Sequence, residues 1–214
     1  MQTLFSPDSK FMQALSRICD LLILNILFLL TSIPVFTIGA SSAALYTVCF
    51  RFGTEREQGV VKSYFRAFRE NFRQGTGLWL ILLLFGGASL LSTMLMLSLS
   101  GPLHYLFLLF ALLTLVAVLI GSCAFPLLSQ FSTTVRACFK NALLLSIGYL
   151  PRFAGIAFIN LFPLLLFCFD LYLFFQTGFI WVAIYFSAGA YLNSLLMKKV
   201  FAPYLPPEYS TDAN

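Results

Sequence analysis

The amino-acid sequence predicts an all-α protein, a polytopic transmembrane helical bundle with about five spans and two amphipathic helices at the cytoplasmic interface. The composition is the first reason, because 60% of the 214 residues are hydrophobic and only 10% are charged, far more apolar than a soluble domain. The second reason is a series of apolar runs long enough to cross roughly 30 Å of hydrocarbon. The third is that the basic residues gather at the ends of those runs, on one side.

The two ends of the chain are polar, and the apolar domain lies between them. Residues 1–17 form a polar lead, residues 18–200 form the transmembrane helical domain, and residues 201–214 form a proline-rich tail that we expect to be disordered. A charged lead before an apolar run also resembles a cleaved signal peptide. The length of the run, and Asp20 and Asn25 within it, argue against that interpretation.

The first apolar run, residues 18–50, is interrupted between Pro34 and Gly39 and permits two topologies. Residues 18–38 are long enough to cross the membrane, whereas residues 40–50 are too short to cross unaided. Five simple crossings would place the N-terminus outside. A re-entrant hairpin would return it to the cytoplasm, and the break would then be covered by protein or would line a cavity. We favour five crossings on the length of the first run.

Four further spans and two short turns follow. The spans are predicted at residues 78–100, 104–128, 152–175 and 179–197. The turns, at residues 101–103 and 176–178, contain no Lys or Arg, so they differ sharply from the opposite side of the membrane. That side carries Arg51, Arg56, Lys62, Arg66, Arg69, Arg73, Arg136, Lys140, Arg152, Lys198 and Lys199. Because basic loops stay in the cytoplasm, we expect a multi-pass protein with outward-facing turns and a cytoplasmic C-terminus.

The polar interval at residues 61–73 is predicted to be an amphipathic helix. At about 100° per residue, one face carries Val61, Tyr64, Phe65, Phe68 and Phe72, and an adjacent stripe carries Lys62, Arg66, Arg69 and Arg73. Rings beside cations are typical of a helix that lies in a membrane interface. A soluble amphipathic helix packed on a core is the alternative.

A second short interfacial helix is predicted at residues 129–148, with Arg136 and Lys140. The predicted partners of both helices are anionic lipids of the cytoplasmic leaflet. Nucleic acid is not expected as a partner, because the basic residues lie at the ends of apolar runs and not on a separate polar domain.

The sequence contains few residues that could carry out chemistry. His104 is the single histidine, and the five cysteines (Cys19, Cys49, Cys123, Cys138 and Cys168) form no Cys-x-x-Cys pair. There is no Gly-x-Ser-x-Gly elbow, no Walker loop and no His-Glu-x-x-His motif. We therefore expect no cofactor, no metal and no enzymatic activity.

Polar groups within the apolar runs are the remaining functional candidates, because burying them in lipid is costly. They are Asp20, Asn25, Thr37, Asn160 and Asp170, and Gly39 at the break is a further candidate for the same path. On one hypothesis they line a polar path through the membrane. On the other they form hydrogen bonds between helices, each worth about 0.6 kcal/mol. We favour the second for the two asparagines and leave both open for the two aspartates, since each aspartate lies near an interface.

Several blocks of the sequence resemble the YesL family, small bacterial membrane proteins whose domain has no known function. Asn25, the block Pro-Val-Phe-Thr-Ile-Gly-Ala at 34–40 and Ala-Leu-Tyr at 44–46 resemble its N-terminal signature, and Phe65–Phe72 and residues 141–144 resemble later blocks. The resemblance covers residues 18–199, although Ala40 stands where a proline often follows the glycine. Members tend to be encoded beside carbohydrate uptake and polysaccharide-degradation systems. The resemblance therefore implies a bacterial plasma membrane and a role in sugar acquisition, but it supplies no catalytic residue.

Two functions are compatible with these patterns. The first is an accessory or scaffolding component associated with carbohydrate uptake, which contacts subunits of a carbohydrate ABC transporter through its cationic cytoplasmic face. The alternative is a small transporter or channel with a path lined by intramembrane Asp and Asn. Stripes of small residues, such as Ala183, Ser187, Ala190 and Ser194, predict close helix packing within the chain or in a homo-oligomer.

Overall fold

The computed structural model describes residues 10–53, 59–99, 101–131 and 133–204, and the chain is helical across these ranges, without a strand. The α-helices are α1 (Lys10–Ser32), α2 (Ile38–Arg51), α3 (Val60–Ser98), α4 (Leu106–Gln130), α5 (Val135–Gly148), α6 (Leu150–Phe169), α7 (Leu171–Gln176), α8 (Gly178–Ile180) and α9 (Phe186–Phe201). Three 3₁₀ turns (Val35–Thr37, Pro102–Tyr105 and Ala202–Tyr204) and a π-helix (Trp181–Tyr185) complete the described elements. The predicted lead up to residue 9, Arg56, and the predicted tail from residue 205 lie outside the described residues.

Five helical segments are long and apolar enough to cross a membrane. They are Phe11–Ser32, Val60–Ser98, Pro102–Gln130, Leu150–Phe169 and Gly178–Tyr204. The predicted fold class, a helical bundle with about five spans, is therefore confirmed by length and composition. The shorter apolar segment Val35–Arg51 contains α2.

The first apolar run folds as a hairpin, so our preference for five simple crossings was wrong. The guanidinium of Arg17, early in α1, lies 4.3 Å from the centre of the Phe52 ring, which directly follows α2. The two helices therefore run in opposite directions. Pro34 is the local reason, because it lacks an N–H and fits poorly within a helix. α1 accordingly ends at Ser32, and α2 begins after a single 3₁₀ turn.

The start of α1 lies at the same end of the bundle as the end of α9. The Ser187 hydroxyl donates to the Leu21 carbonyl at 2.7 Å, and the Asn25 amide donates to the Val182 carbonyl at 2.8 Å. Residue numbers rise along α1 as they fall along the last span, so the two run antiparallel. We call this end of the bundle the basic end, with Arg17, Arg51, Lys198 and Lys199, and the opposite end, with the turns at residues 101–102 and 176–178, the turn end.

Side chains satisfy the backbone at the break between α1 and α2. The Thr37 hydroxyl donates to the carbonyls of Thr31 at 2.5 Å and Pro34 at 2.6 Å. The indole N–H of Trp79, from α3, donates to the Val35 carbonyl at 2.8 Å. Irregular backbone is tolerated at membrane depth only where its polar groups are covered or paired. These bonds therefore pair polar backbone groups of the hairpin tip, whose side chains Ile33, Val35 and Phe36 are exposed.

Although α2 is too short to cross a membrane, it is the most buried helix of the bundle. Its buried residues are Gly39, Ala40, Ser41, Ala43, Ala44, Leu45, Tyr46, Thr47, Val48, Cys49 and Phe50. Small side chains at many of these positions let α1, α3, α4 and α9 all approach it. Residues 40–50, which are too short to cross the membrane unaided, therefore lie at the centre of the protein.

The predicted interfacial helix at residues 61–73 is not a separate helix. It is the first part of α3, which continues without a break for 39 residues, or about 58 Å at 1.5 Å per residue. The second predicted short helix exists as α5 and packs back along α4. There the Cys138 thiol donates to the Ala124 carbonyl, and the Ser146 hydroxyl donates to the Leu119 carbonyl.

The core lies toward the basic end, and α6 to α8 become more exposed toward the turn end. In α6 the buried residues are Phe153, Ile156 and Ala157, all in its first half, and α7 and α8 have none. Phe169, Tyr172 and Phe175 are among the most exposed aromatic side chains of the described chain.

Candidate functional site

A row of four cations lies on the outer face of α3. Lys62, Arg66, Arg69 and Arg73 are all exposed, and none makes an ion pair with another residue of the described ranges. Their spacings of four, three and four residues keep them within about 60° of one another on the helix, over about 16 Å of its length. The arrangement forms a linear cationic surface, which we call the α3 cation row.

The opposite face of α3 is fixed against the hairpin. Ser63, Tyr64 and Ala67 are buried there, and the Tyr64 hydroxyl lies 2.6 Å from the Thr31 hydroxyl. The predicted aromatic face is therefore divided, because Tyr64 packs inside the protein. Val61, Phe65 and Phe72 remain exposed beside the cations, as an interfacial helix requires.

The two basic residues of α5 point away from the bundle. Arg136 and Lys140 are exposed, whereas Cys138 between them is fully buried. Burial raises the pKa of the Cys138 thiol to about 11. The thiolate is the reactive form of cysteine, so this thiol is an inert packing group near neutral pH.

Asn25, one of the predicted path residues, joins α1 to the last span. Its amide nitrogen donates to the carbonyls of Trp181 at 3.1 Å and Val182 at 2.8 Å, and its amide oxygen accepts from the N–H of Ser187 at 3.0 Å. A π-helix changes the usual α-helical pairing of backbone groups. The π-helix contains Trp181 and Val182 and ends just before Ser187. Asn25 is fully buried, so we assign it to hydrogen bonding between helices.

The other N-terminal path residues also have local roles. Thr37 holds the hairpin break, as described above. Gly39 allows a close crossing of α2 and α3, because a Cβ atom there would lie 2.1 Å from the Gly75 carbonyl oxygen. Asp20 is partly exposed near the middle of α1.

Asp170 is exposed at the turn end and begins α7, where its carboxylate accepts from the N–H of Leu173 at 2.9 Å. This is a helix N-cap bond, and it lies far along the chain from the hairpin. Asn25, Thr37, Asn160 and Asp170 each have different hydrogen-bond partners, so these four predicted path residues do not form one site.

Asn160 belongs to a polar cluster that the sequence analysis missed. Its amide oxygen accepts from the amide nitrogen of Asn193 at 3.0 Å, and that nitrogen also donates to the Tyr46 hydroxyl at 3.2 Å. We call these three residues, from α6, α9 and α2, the amide cluster. Asn193 was not singled out, although it is a third asparagine within an apolar run, after Asn25 and Asn160. Its pairing with Tyr46, across 147 residues, leaves no local pattern in the sequence.

Part of the chain matches a known family. Residues 21–93 match a family described as protein of unknown function, DUF624. The matched segment contains most of the hairpin and α3, with the α3 cation row, and excludes α4 to α9. This supports similarity to a family without an assigned function; the closer resemblance to the YesL family stays a prediction. Neither the curated proteins nor the solved structures gave a match.

Proposed function

We propose that this membrane protein is a non-catalytic accessory or scaffolding component that engages anionic lipids and a protein partner through the α3 cation row. The carrying observation is that these four exposed cations lack ion pairs within the described ranges, on a helix whose other face is fixed to the hairpin. A rigid row of cations suits an acidic surface, because no entropy is lost in ordering its backbone on binding. Arg136 and Lys140 extend the same chemistry to α5.

We further propose that the basic end is cytoplasmic, in a bacterial plasma membrane. The support is the positive-inside rule, since both turns at the other end lack Lys and Arg. With the hairpin, this orientation places the start of α1 on the same side as Lys198 and Lys199. On the resemblance described above, the protein partner would be a subunit of a carbohydrate ABC transporter.

Affinity capture from membranes in mild detergent tests the partner. We expect the wild-type protein to retain carbohydrate transporter subunits, and the double variant Arg66→Glu/Arg69→Glu to release them, because like charges would then face each other. Glu70→Lys is the matched control on the same helix, since it leaves all four cations in place. Capture that is equal for both variants, or that brings down no transporter subunit, contradicts the proposal.

A transporter or channel is the second function that we propose to test. The observation in its favour is the amide cluster, where Asn193 is fully buried and its oxygen has no partner within the described part of the chain. If the protein is a transporter or channel, the purified protein in liposomes moves a solute. Asn160→Leu then stops that movement while the protein stays folded. Solute movement that survives Asn160→Leu would exclude the cluster from any path.

A further inference from the structure

We propose that the amide cluster binds the free hydroxyl group of a neutral membrane lipid, which enters between α6 and α9. This goes beyond the accessory function and does not depend on the α3 cation row. The cluster comprises Tyr46, Asn160 and Asn193.

The first step is an unpaired polar atom in the core. The side chain of Asn193 is fully buried, and its amide nitrogen has two acceptors, but its amide oxygen has no hydrogen-bond donor among the described residues. Buried polar atoms are nearly always paired, so the cluster is completed by a donor from another molecule.

The second step is the chemistry of that molecule. Asn160 is exposed, and its side chain pairs with both Asn193 and Tyr46, so it connects the buried cluster to the surface of the bundle. The group that is missing beside the Asn193 oxygen is a hydrogen-bond donor, which a hydroxyl group supplies. All three residues of the cluster are uncharged near neutral pH, which favours a neutral ligand.

The third step is the route of entry. Asn160 lies near the middle of α6, where the helix leaves the packed core. Leu164 and Phe167, four and seven residues further on, share its side of the helix, and they are 56% and 47% exposed. The side chains on the approach are apolar, so access is lateral, from the hydrocarbon. A lipid with an acyl chain along α6 and a hydroxyl at Asn160 fits this route better than a water-soluble solute.

Tryptophan quenching by brominated lipid tests this proposal. The chain has two tryptophans, and Trp79→Phe leaves Trp181, whose ring lies 6.1 Å from that of Phe162 on α6. The Trp79→Phe protein is placed in phosphatidylcholine vesicles with diacylglycerol that carries brominated acyl chains, or with the same lipid acetylated at its free hydroxyl. We expect the free-hydroxyl lipid to quench Trp181 more strongly than the acetylated lipid.

Variants in the Trp79→Phe background then locate the effect. Asn160→Leu is the deciding variant, because it changes an exposed residue, and we expect it to abolish the excess quenching. Asn193→Leu should do the same, whereas Asn141→Leu, an exposed asparagine on α5, should retain it. The proposal is overturned if both lipids quench equally or if the excess survives Asn160→Leu. It is also overturned if glucose in the buffer removes the excess, since the site would then take a soluble hydroxyl compound.

Discussion

Two fully buried asparagines hold the last span in place, and they differ in how well they are paired. Asn25, from α1, uses both its oxygen and its nitrogen, and its partners are backbone groups around the π-helix. Among the described residues, Asn193, within α9, pairs only its nitrogen, with the side chains of Tyr46 and Asn160. A fully satisfied polar junction rigidifies a core, whereas a partly satisfied one is costly. The comparison separates a structural junction from a binding site built from the same type of residue.

Asn25→Leu should have the largest effect on stability. The change leaves the carbonyls of Trp181 and Val182 and the N–H of Ser187 without their side-chain partner, at a cost of about 2 kcal/mol. SDS denaturation, followed by the loss of helicity, measures this cost. Asn141→Leu is the control at an exposed site and should change stability by less than about 0.5 kcal/mol. A similar loss in both variants would show that Asn25 is not a special junction.

Ser187→Ala should have an intermediate effect. Its hydroxyl donates to the Leu21 carbonyl at 2.7 Å, and a hydrogen bond of this kind between membrane helices is worth about 0.6 kcal/mol. The Ser187 N–H would still reach Asn25. Because the two side chains share one junction, their effects should not be additive. A double variant measured by the same denaturation should therefore lose less than the sum of the single variants, and strict additivity would contradict this.

Asn193→Leu should have the smallest effect in detergent without added lipid. It removes two hydrogen bonds, but it also removes a buried oxygen that has no partner, and the two contributions oppose each other. We expect a change within about 0.5 kcal/mol. A loss of stability as large as that of Asn25→Leu would mean that Asn193 is also a structural junction. The proposed difference between the two asparagines would then be contradicted.

The contrast also shows which features could be predicted from the sequence. The spans, both turns and the basic end follow from local signals, namely the length of apolar runs and the position of charges. The burial of α2, the crossing of Gly39 over Gly75 and the pairing of Asn193 with Asn160 depend on contacts between distant segments. No periodicity encodes these contacts.

The α1–α2 hairpin shows why the length of an apolar run is not enough to predict the topology. Residues 18–38 satisfy the length criterion for a crossing, but the criterion says nothing about where the chain goes after Pro34. The contact of Arg17 with Phe52 shows that the chain turns back after Pro34. That contact links two segments on either side of the break. For the candidate site, the cations of α3 could be located from the sequence because they lie on one helix, whereas the amide cluster draws one residue from each of three helices.

The most direct test of the account is the sidedness of the start of α1. In a background without the five native cysteines, single cysteines are placed at Gln13→Cys, Lys62→Cys and Thr177→Cys and treated in intact cells with a membrane-impermeant thiol reagent. The hairpin predicts that positions 13 and 62 are protected and position 177 is labelled, and that all three react after the cells are opened. Labelling of positions 13 and 177 together, with position 62 protected, would contradict the hairpin and restore five simple crossings.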